Sequence, residues 1–288
     1  MLTAIMGSRH PIRHYYDRNT RRFLAFGGGA ASGAIHRQLW GPGVSTVHEA
    51  ADCINQFLKL EIERLNPEAA PTMLDLGCGV GGTVVRLARA FPGASLHGVT
   101  ISEQQVALAR AASVSAGVEP RCTFYLGDFE SMDLGLQADL IFAVESFTHS
   151  RSAKAFFSTV ARHLRPGGHV IIVDDFLLAD ESTLGERGRR LAREFRAGWQ
   201  VPSLSTVDAC VHAAQASGID MADERDFTSL IRLRRPRDRA IATLAPLVAR
   251  LGLTGMPFFG NLVGGNALHQ GLCDRIFGYR WLRFRYSR

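Results

Sequence analysis

The sequence predicts an α/β fold in which a parallel β-sheet is covered by helices on both faces. Two observations support this prediction. Residues 72–178 alternate short apolar strands with helical patterns, an order typical of parallel sheets. The first strand also runs directly into a glycine turn and then a helix, at residues 72–91. In such folds ligands bind at the carboxyl ends of the strands, where the strand order reverses.

The individual elements follow from apolar periodicity and from residues that start or stop helices. Strands are predicted at residues 73–76, 95–99, 122–125, 140–144 and 169–173. Helices are predicted at residues 83–91, 103–116 and 153–164. Ser102 is a typical N-cap for the second of these helices, and the Pro166-Gly167-Gly168 run ends the third.

The flanking regions differ in composition from this alternating core and predict three parts. Residues 1–70 are predicted to form an N-terminal helical lid, with an amphipathic helix after Val47. Residues 71–178 form the core, and residues 179–288 form a helical cap insertion followed by strands that complete the sheet. In that last part helices are predicted at residues 181–199, 206–217 and 237–251, and strands at residues 221–230 and 279–286. A glycine- and asparagine-containing stretch separates the last helix from the last strand.

Composition excludes several classes of protein. The 288 residues are 46% hydrophobic and 21% charged, which is ordinary for a globular protein. No run of about 18 apolar residues exists, so no membrane span is expected. The five cysteines form no CxxC pair, which argues against a zinc site and a disulfide framework. With no secretory signal at the N-terminus, a reducing cytoplasm is the simplest setting.

The formal charge of +6 comes mainly from arginines late in the chain. Arginine suits carboxylate and phosphate partners, so an anionic small substrate such as a diphosphate stays open. A solvated basic face explains the same charge equally simply. Nucleic-acid binding is not expected, because no aromatic-interleaved basic motif accompanies the arginines.

The glycine turn predicts a polar, nucleotide-like ligand. Gly77, Gly79 and Gly81 follow Asp75, so bare backbone and a helix N-terminus lie beside a carboxylate. A dinucleotide site would prefer Gly-x-Gly-x-x-Gly followed by an acidic residue at the end of the second strand, and that acidic residue is missing. A phosphate-binding loop ending in Gly-Lys-Ser/Thr is also missing.

The ordered motifs of residues 72–175 resemble the class I S-adenosylmethionine-dependent methyltransferases. They are the glycine turn at residues 74–82, then residues 98–105, 127–129, 143–149 and 164–168. The resemblance implies a Rossmann-like methyltransferase fold with a parallel sheet whose last strand is antiparallel. It also implies S-adenosylmethionine as the cofactor.

The resemblance carries over residue roles in the cofactor site. Asp75 would interact with the cofactor ammonium group, and Gly77, Gly79 and Gly81 would admit its methionine part. Asp128 would accept from the adenine amino group, and Phe129 would pack on the ring. The cofactor set further contains Thr100, Ile101, Gln105 and Val144.

The second strand ends without the acid that holds the ribose in most of this superfamily. Thr100 and Ile101 stand there, and backbone and Gln105 would hold the sugar. This variant resembles the branch of sterol, cyclopropane-fatty-acid, tocopherol and geranyl-diphosphate C-methyltransferases. The run at residues 33–43 is similar to natural-product enzymes that C-methylate a prenyl chain, including the indolactam methyltransferase of the teleocidin pathway.

The candidate catalytic residues are Glu145, His149, Tyr15 and Tyr16. Glu145 and His149 follow the fourth strand, where Glu145 would stabilise a carbocation and His149 would accept a proton. A structural histidine explains His149 equally well. Tyr15 or Tyr16, in the lid, would contact the cofactor and supply a π face, and helix packing is the alternative.

The expected function is methyl transfer to an alkene carbon of a prenylated or isoprenoid small molecule in natural-product biosynthesis. An O- or N-methyltransferase and a non-catalytic cofactor-binding subunit are the alternatives. No resident metal is expected; Mg²⁺ would enter only with a diphosphate substrate, near Asp174 and Asp175. Whether the chain forms a homo-oligomer stays open.

Overall fold

A computed structural model describes residues 36–65, 70–250 and 257–287. Its centre is a seven-stranded sheet with the strand order β3-β2-β1-β4-β5-β7-β6. The strands are β1 (Thr72–Leu76), β2 (Ser95–Thr100), β3 (Cys122–Leu126), β4 (Ala138–Val144), β5 (Leu164–Leu177), β6 (Ile219–Asp226) and β7 (Phe277–Tyr286).

Strand direction in the sheet matches the prediction. β1 pairs in parallel with both β2 and β4, so the strand order reverses at β1. β7 lies between β5 and β6 and pairs antiparallel with both. The Rossmann-like fold with an antiparallel last strand is therefore confirmed, and the carboxyl ends of β1 to β5 share one edge.

The helices are α1 (Val47–Leu65), α2 (Gly82–Ala90), α3 (Glu103–Ser115), α4 (Ala153–His163), α5 (Glu186–Trp199), α6 (Val207–Gln215), α7 (Pro236–Arg250) and α8 (Pro257–Cys273). Four of them begin at hydroxyl caps: Thr46 accepts from the Glu49 amide, Ser102 from Gln105, Ser152 from Ala155 and Thr206 from Ala209. None of the helices in the described ranges is both long and apolar enough to cross a membrane.

Alternate strand residues build a separate core on each face of the sheet. On β1, Met73 packs into a cluster with α1, α2 and α3, whereas Leu74 packs into a cluster with α4 and α6. Because successive strand side chains point to opposite faces, a short apolar run on β1 supplies both clusters. The sheet is therefore held between two helical layers.

The cap has its own core, formed by α5 and α8 against the ends of β5 and β7. Leu191 and Phe195 of α5 pack with Leu268 and Leu272 of α8, and with Phe277 of β7. This core fixes α5 over the carboxyl edge of the sheet.

Helix α8 corrects the sequence analysis, which assigned no element to the glycine- and asparagine-containing stretch. Glycine and asparagine are weak helix formers, so local propensity concealed it. Packing explains the helix, because its glycines allow α5 to approach closely. A Cβ added at Gly198 of α5 would lie 2.6 Å from the Cα of Gly264 in α8.

Further boundaries differ from the prediction. The helix predicted over residues 181–199 begins at Glu186, after a 3₁₀ turn at Glu181–Thr183. β5 begins at Leu164, immediately after α4, and includes the residues predicted to be a loop, with a register shift opposite Ala138 and Leu140. The strand predicted over residues 221–230 ends at Asp226 and is followed by a 3₁₀ turn at Thr228–Leu230. The lid prediction falls largely outside the described residues, as do Tyr15 and Tyr16.

We expect Gly198→Ala to destabilise the protein by about 1–3 kcal/mol, because the added methyl group overlaps the α8 backbone. Without such an overlap, replacing glycine by alanine in a helix would stabilise the protein by about 1 kcal/mol. The sign of the change in the free energy of unfolding therefore tests the overlap. The matched control is Gly265→Ala in α8, whose added Cβ would meet Trp199 at an ordinary 3.7 Å. Urea unfolding measures both, and a Gly198→Ala protein as stable as wild type would contradict the close crossing.

Candidate functional site

A cavity of about 790 Å³ lies at the carboxyl edge of the sheet. The glycine turn after β1, the ends of β2 and β3, the turn after β4, the β5 carboxylates and the α5 helix of the cap all line it. This is the position expected for a ligand of a parallel sheet, beside the reversal of strand order at β1.

The three glycines of the turn all have positive φ but serve different purposes. Gly79, with φ 53°, lines the cavity, and apart from its two chain neighbours no atom of the described residues lies within 4 Å of the position that a Cβ would occupy. Gly81 does not line the cavity; a Cβ there would lie 2.7 Å from Ala109 and 2.9 Å from Phe124. Gly79 therefore leaves space for a ligand, whereas Gly81 allows α2 to pack closely on α3 and β3.

Gly77 lies against the turn that follows β4. A Cβ on Gly77 would lie 2.8 Å from the hydroxyl oxygen of Ser146, which itself donates to the Leu76 carbonyl at 2.5 Å. The absence of a side chain at Gly77 thus lets the two turns meet. Both Gly77 and Ser146 line the cavity.

Asp75 is buried at the carboxyl end of β1 and does not line the cavity. Burial raises the pKa of its carboxyl group well above the usual range. A nearby cation would favour the charged form of this carboxyl group. Direct contact between Asp75 and a cofactor ammonium group remains a prediction.

The other predicted cofactor residues line the cavity: Thr100, Ile101, Gln105, Asp128, Phe129 and Val144. The Thr100 hydroxyl donates to Oε1 of Gln105 at 2.5 Å, so Gln105 is held beside the end of β2. Asp128 receives the Glu130 amide on Oδ1 at 2.9 Å, which orients its carboxylate. The structure brings these side chains to one region, and their individual roles remain predictions.

Glu145 follows β4 with φ 53°, a conformation that non-glycine residues rarely adopt. Its Oε1 accepts two hydrogen bonds, one at 2.8 Å from the Arg37 backbone amide and one at 2.7 Å from the Tyr279 hydroxyl. Burial, and then the Glu145 charge, raise the pKa of Tyr279 well above its usual range, so its hydroxyl stays a donor. Glu145 is thus held in one position at the cavity wall.

Arg37 connects this carboxylate to a second one. Its guanidinium makes two hydrogen bonds to Asp175, at 2.7 and 2.8 Å, and lies 4.4 Å from the centre of the Tyr279 ring. Burial opposes the charge on Arg37, but the Asp175 carboxylate outweighs it and the pKa of Arg37 is raised. Residues from four separate parts of the chain therefore form one cluster, which we call the Glu145 cluster: Arg37, Glu145, Asp175 and Tyr279.

Asp174 and His149 line the same cavity as the Glu145 cluster. Burial, and then the neighbouring Asp175, raise the pKa of Asp174 to about 7, although its carboxylate receives the Thr148 amide at 3.0 Å. Burial lowers the pKa of His149 to about 4, partly offset by a hydrogen bond with the Gln200 backbone. At neutral pH the His149 imidazole is uncharged and able to accept a proton.

Two residues of the Glu145 cluster, Arg37 and Tyr279, could not be assigned to the site from local sequence pattern alone. Arg37 lies in the run at residues 33–43, which indicated a family but no site role. Tyr279 lies in β7, where the antiparallel register places it beside Asp175 of β5. The alternation of residues 279–286 predicted a strand but not its neighbour.

No group of three or more His, Cys, Asp or Glu side chains within the described ranges is arranged to hold a metal ion. Asp175 is engaged by Arg37, and Asp174 by Thr148. Mg²⁺ binding therefore remains a prediction for the case of a diphosphate substrate.

Fold and cavity together define a Rossmann-like protein with a nucleotide-type site at its β1 switch point. Residues 73–168 match the family model described as a methyltransferase domain. Methyltransferase GfsG of Streptomyces halstedii is 29% identical over 226 residues, which cover 78% of each chain. Residues 73–168 are therefore a methyltransferase domain, and the relatives support S-adenosylmethionine-dependent methyl transfer by this chain.

Relatives of the C-methylating branch are also similar. Cycloartenol-C-24-methyltransferase 1 of Oryza sativa subsp. japonica is 25% identical over 75% of this chain, which spans only 60% of that enzyme's length. The structure of a geranyl diphosphate methyltransferase with geranyl diphosphate and sinefungin superposes with a TM-score of 0.73. The alignment covers 96% of this chain and 98% of the chain in that structure. At 17% identity it supports the fold alone.

The residues present fit S-adenosylmethionine. The open space at Gly79 admits a ligand against bare backbone, and the buried Asp75 carboxyl is charged most readily beside a cation such as an ammonium group. Asp128 and Phe129 supply an acceptor and an aromatic face at the opposite part of the same cavity.

We expect Gly79→Ala to weaken S-adenosylmethionine binding by about tenfold while the protein stays folded, because the methyl group enters the ligand space. Gly81→Ala is the matched comparison, since its methyl group would overlap Ala109 and Phe124 and lower the free energy of unfolding. Calorimetric titration and urea unfolding separate the two effects. Equal affinity in Gly79→Ala and wild type would refute ligand approach at Gly79.

Proposed function

We propose that the chain transfers a methyl group to an alkene carbon of a prenylated or isoprenoid small molecule. The observation that carries this proposal is the Glu145 carboxylate, fixed by two hydrogen bonds at the wall of the cofactor cavity. Similarity to sterol C-methyltransferases supports carbon as the methylated atom.

The charge distribution around Glu145 suits this chemistry. Asp174 and Asp175 line the same part of the cavity, and only Asp175 has an arginine partner within the Glu145 cluster. When an alkene carbon forms a bond to a methyl group, positive charge develops on the neighbouring carbon. A fixed carboxylate in a water-poor site stabilises such charge without having to reorganise.

The cation must then rearrange, cyclise or lose a proton. His149 lines the cavity as a neutral imidazole, so it is the proposed acceptor of that proton. Trp199 of α5 lines the acceptor side of the cavity and offers an aromatic face to the cation.

S-adenosylmethionine supplies an electrophilic methyl group on a positively charged sulfur. For this chain we assign its methionine part to the Gly77–Gly79 backbone and Asp75. Its ribose goes to Thr100, Ile101 and Gln105, and its adenine to Asp128, Phe129 and Val144. These residues would bind and orient the cofactor. Glu145, His149 and the cap would contact the acceptor.

Incubation with cofactor labelled in its methyl group and a prenylated acceptor tests the proposal directly. We expect the label on carbon, located by NMR of the product. Label on oxygen or nitrogen alone would instead identify an O- or N-methyltransferase. Tight cofactor binding with no labelled product from any acceptor in a prenylated panel would favour a non-catalytic subunit.

We expect Glu145→Gln to lower kcat by about 100-fold, because the substitution removes the charge opposite the developing cation. Cofactor affinity should change little. Tyr279→Phe should lower kcat by about five- to tenfold, because Glu145 loses one of its two donors while the ring under Arg37 is kept.

The control for the second variant is Tyr125→Phe. The Tyr125 hydroxyl is 3.1 Å from His97, and neither residue lines the cavity, so turnover should not change. Single-turnover rates and cofactor titrations separate chemistry from binding. Equal losses of turnover and cofactor affinity in Glu145→Gln would place Glu145 in the cofactor site instead.

A further inference from the structure

A second cavity of about 330 Å³ adjoins the first on the cap side. It lies among α5, α7, α8 and the segment at residues 231–235. Arg37 and Trp199 line both cavities, so the two spaces meet at these side chains. The two cavities are therefore adjacent.

The second cavity is strongly basic. Arg232, Arg235 and Arg237 line it together with a single carboxylate, Asp238. Asp238 is engaged by Arg235 at 3.1 Å and lies 3.9 Å from Arg237. One acidic side chain therefore faces three guanidinium groups.

Two of these guanidinium groups are available to a ligand. Arg232 stacks 3.4 Å from the centre of the Trp40 ring, and within the described residues it has no carboxylate partner. The Arg237 side chain is 69% exposed. Residues 251–256, between α7 and α8, contain no acidic residue in the sequence.

The rest of the lining is suited to an amphiphilic ligand. Asn266 and the Asn261 amide are polar, and Oδ1 of Asn261 is buried without a hydrogen-bond partner among the described residues. Leu233, Leu262 and Leu268 supply apolar surface beside them. A polar group attached to a hydrocarbon chain would satisfy both kinds of surface.

We propose that this second cavity binds an oxyanion carried by the acceptor, a phosphate, diphosphate or carboxylate group, while the alkene occupies the first cavity. The proposal rests on the proposed function. It follows from the difference in lining: the first cavity has both carboxyl groups and arginines, whereas the adjoining cavity has a single carboxylate against three guanidinium groups. Guanidinium groups bind oxyanions with short, charge-assisted hydrogen bonds.

Inorganic pyrophosphate is the first probe, titrated calorimetrically into the full chain saturated with S-adenosylhomocysteine. We expect Arg232→Gln and Arg237→Gln each to raise its Kd by about tenfold. Arg234→Gln and Arg239→Gln are the matched controls, because both arginines are exposed, belong to the same segment and do not line the cavity. These controls should bind pyrophosphate as wild type does, and urea unfolding verifies that every variant is folded.

A prenyl monophosphate and the corresponding prenyl alcohol are the second pair of probes. We expect the phosphate to have the lower KM, and Arg237→Gln to remove that advantage. Pyrophosphate should compete with the phosphorylated acceptor.

Two results would overturn the proposal. One is pyrophosphate binding that is absent, or equal in the cavity variants and the controls. The other is cavity-specific binding that does not compete with the acceptor, which would make the cavity a regulatory site. If pyrophosphate binding depends on the cavity arginines and no acceptor is methylated on carbon, the anion site stands and the proposed function fails.

Discussion

The Glu145 carboxylate is the point on which the arrangement of the site depends. It is held by the Arg37 amide and the Tyr279 hydroxyl, and Arg37 is held in turn by Asp175. Removing one partner of a buried charge pair typically costs about 3–5 kcal/mol, because the remaining charge is left uncompensated. The segment before α1, the turn after β4, and strands β5 and β7 are therefore coupled: each needs the others in place to satisfy its polar groups.

Arg37 of the same cluster lines two cavities that differ in their balance of charge. On one side, Glu145 and Asp174 face the space where methyl transfer is proposed. On the other side, Arg232, Arg235 and Arg237 surround the adjoining cavity. An acceptor that spans both would place its negative end away from the carboxylates and its reacting carbon close to them. Such a division orients the acceptor as well as binding it, since the reversed orientation would bring like charges together.

Backbone contact between α5 and α8 determines where the C-terminal end of α5, which lines the first cavity, lies. Gly198 and Gly264 allow the two helices to cross more closely than any side chain would permit. The crossing positions Trp199, Gln200 and Val201 over the site. Glycine thus serves two opposite purposes in this chain, since Gly79 leaves space for a ligand whereas Gly198 leaves space for another helix.

The sequence by itself determined the parallel core, because it depends on short local patterns: apolar alternation, caps and the turn at residues 77–81. The antiparallel last strand and the cofactor class came from the resemblance of the ordered motifs to a known family. The sequence also indicated Glu145, His149 and the cofactor residues, since the carboxyl ends of parallel strands converge on one edge. Only the tertiary structure decided that Tyr279 and Arg37 join Glu145, and that the glycine-rich stretch is a helix. Those outcomes depend on strand register and helix packing between residues more than 60 positions apart, which no local propensity encodes.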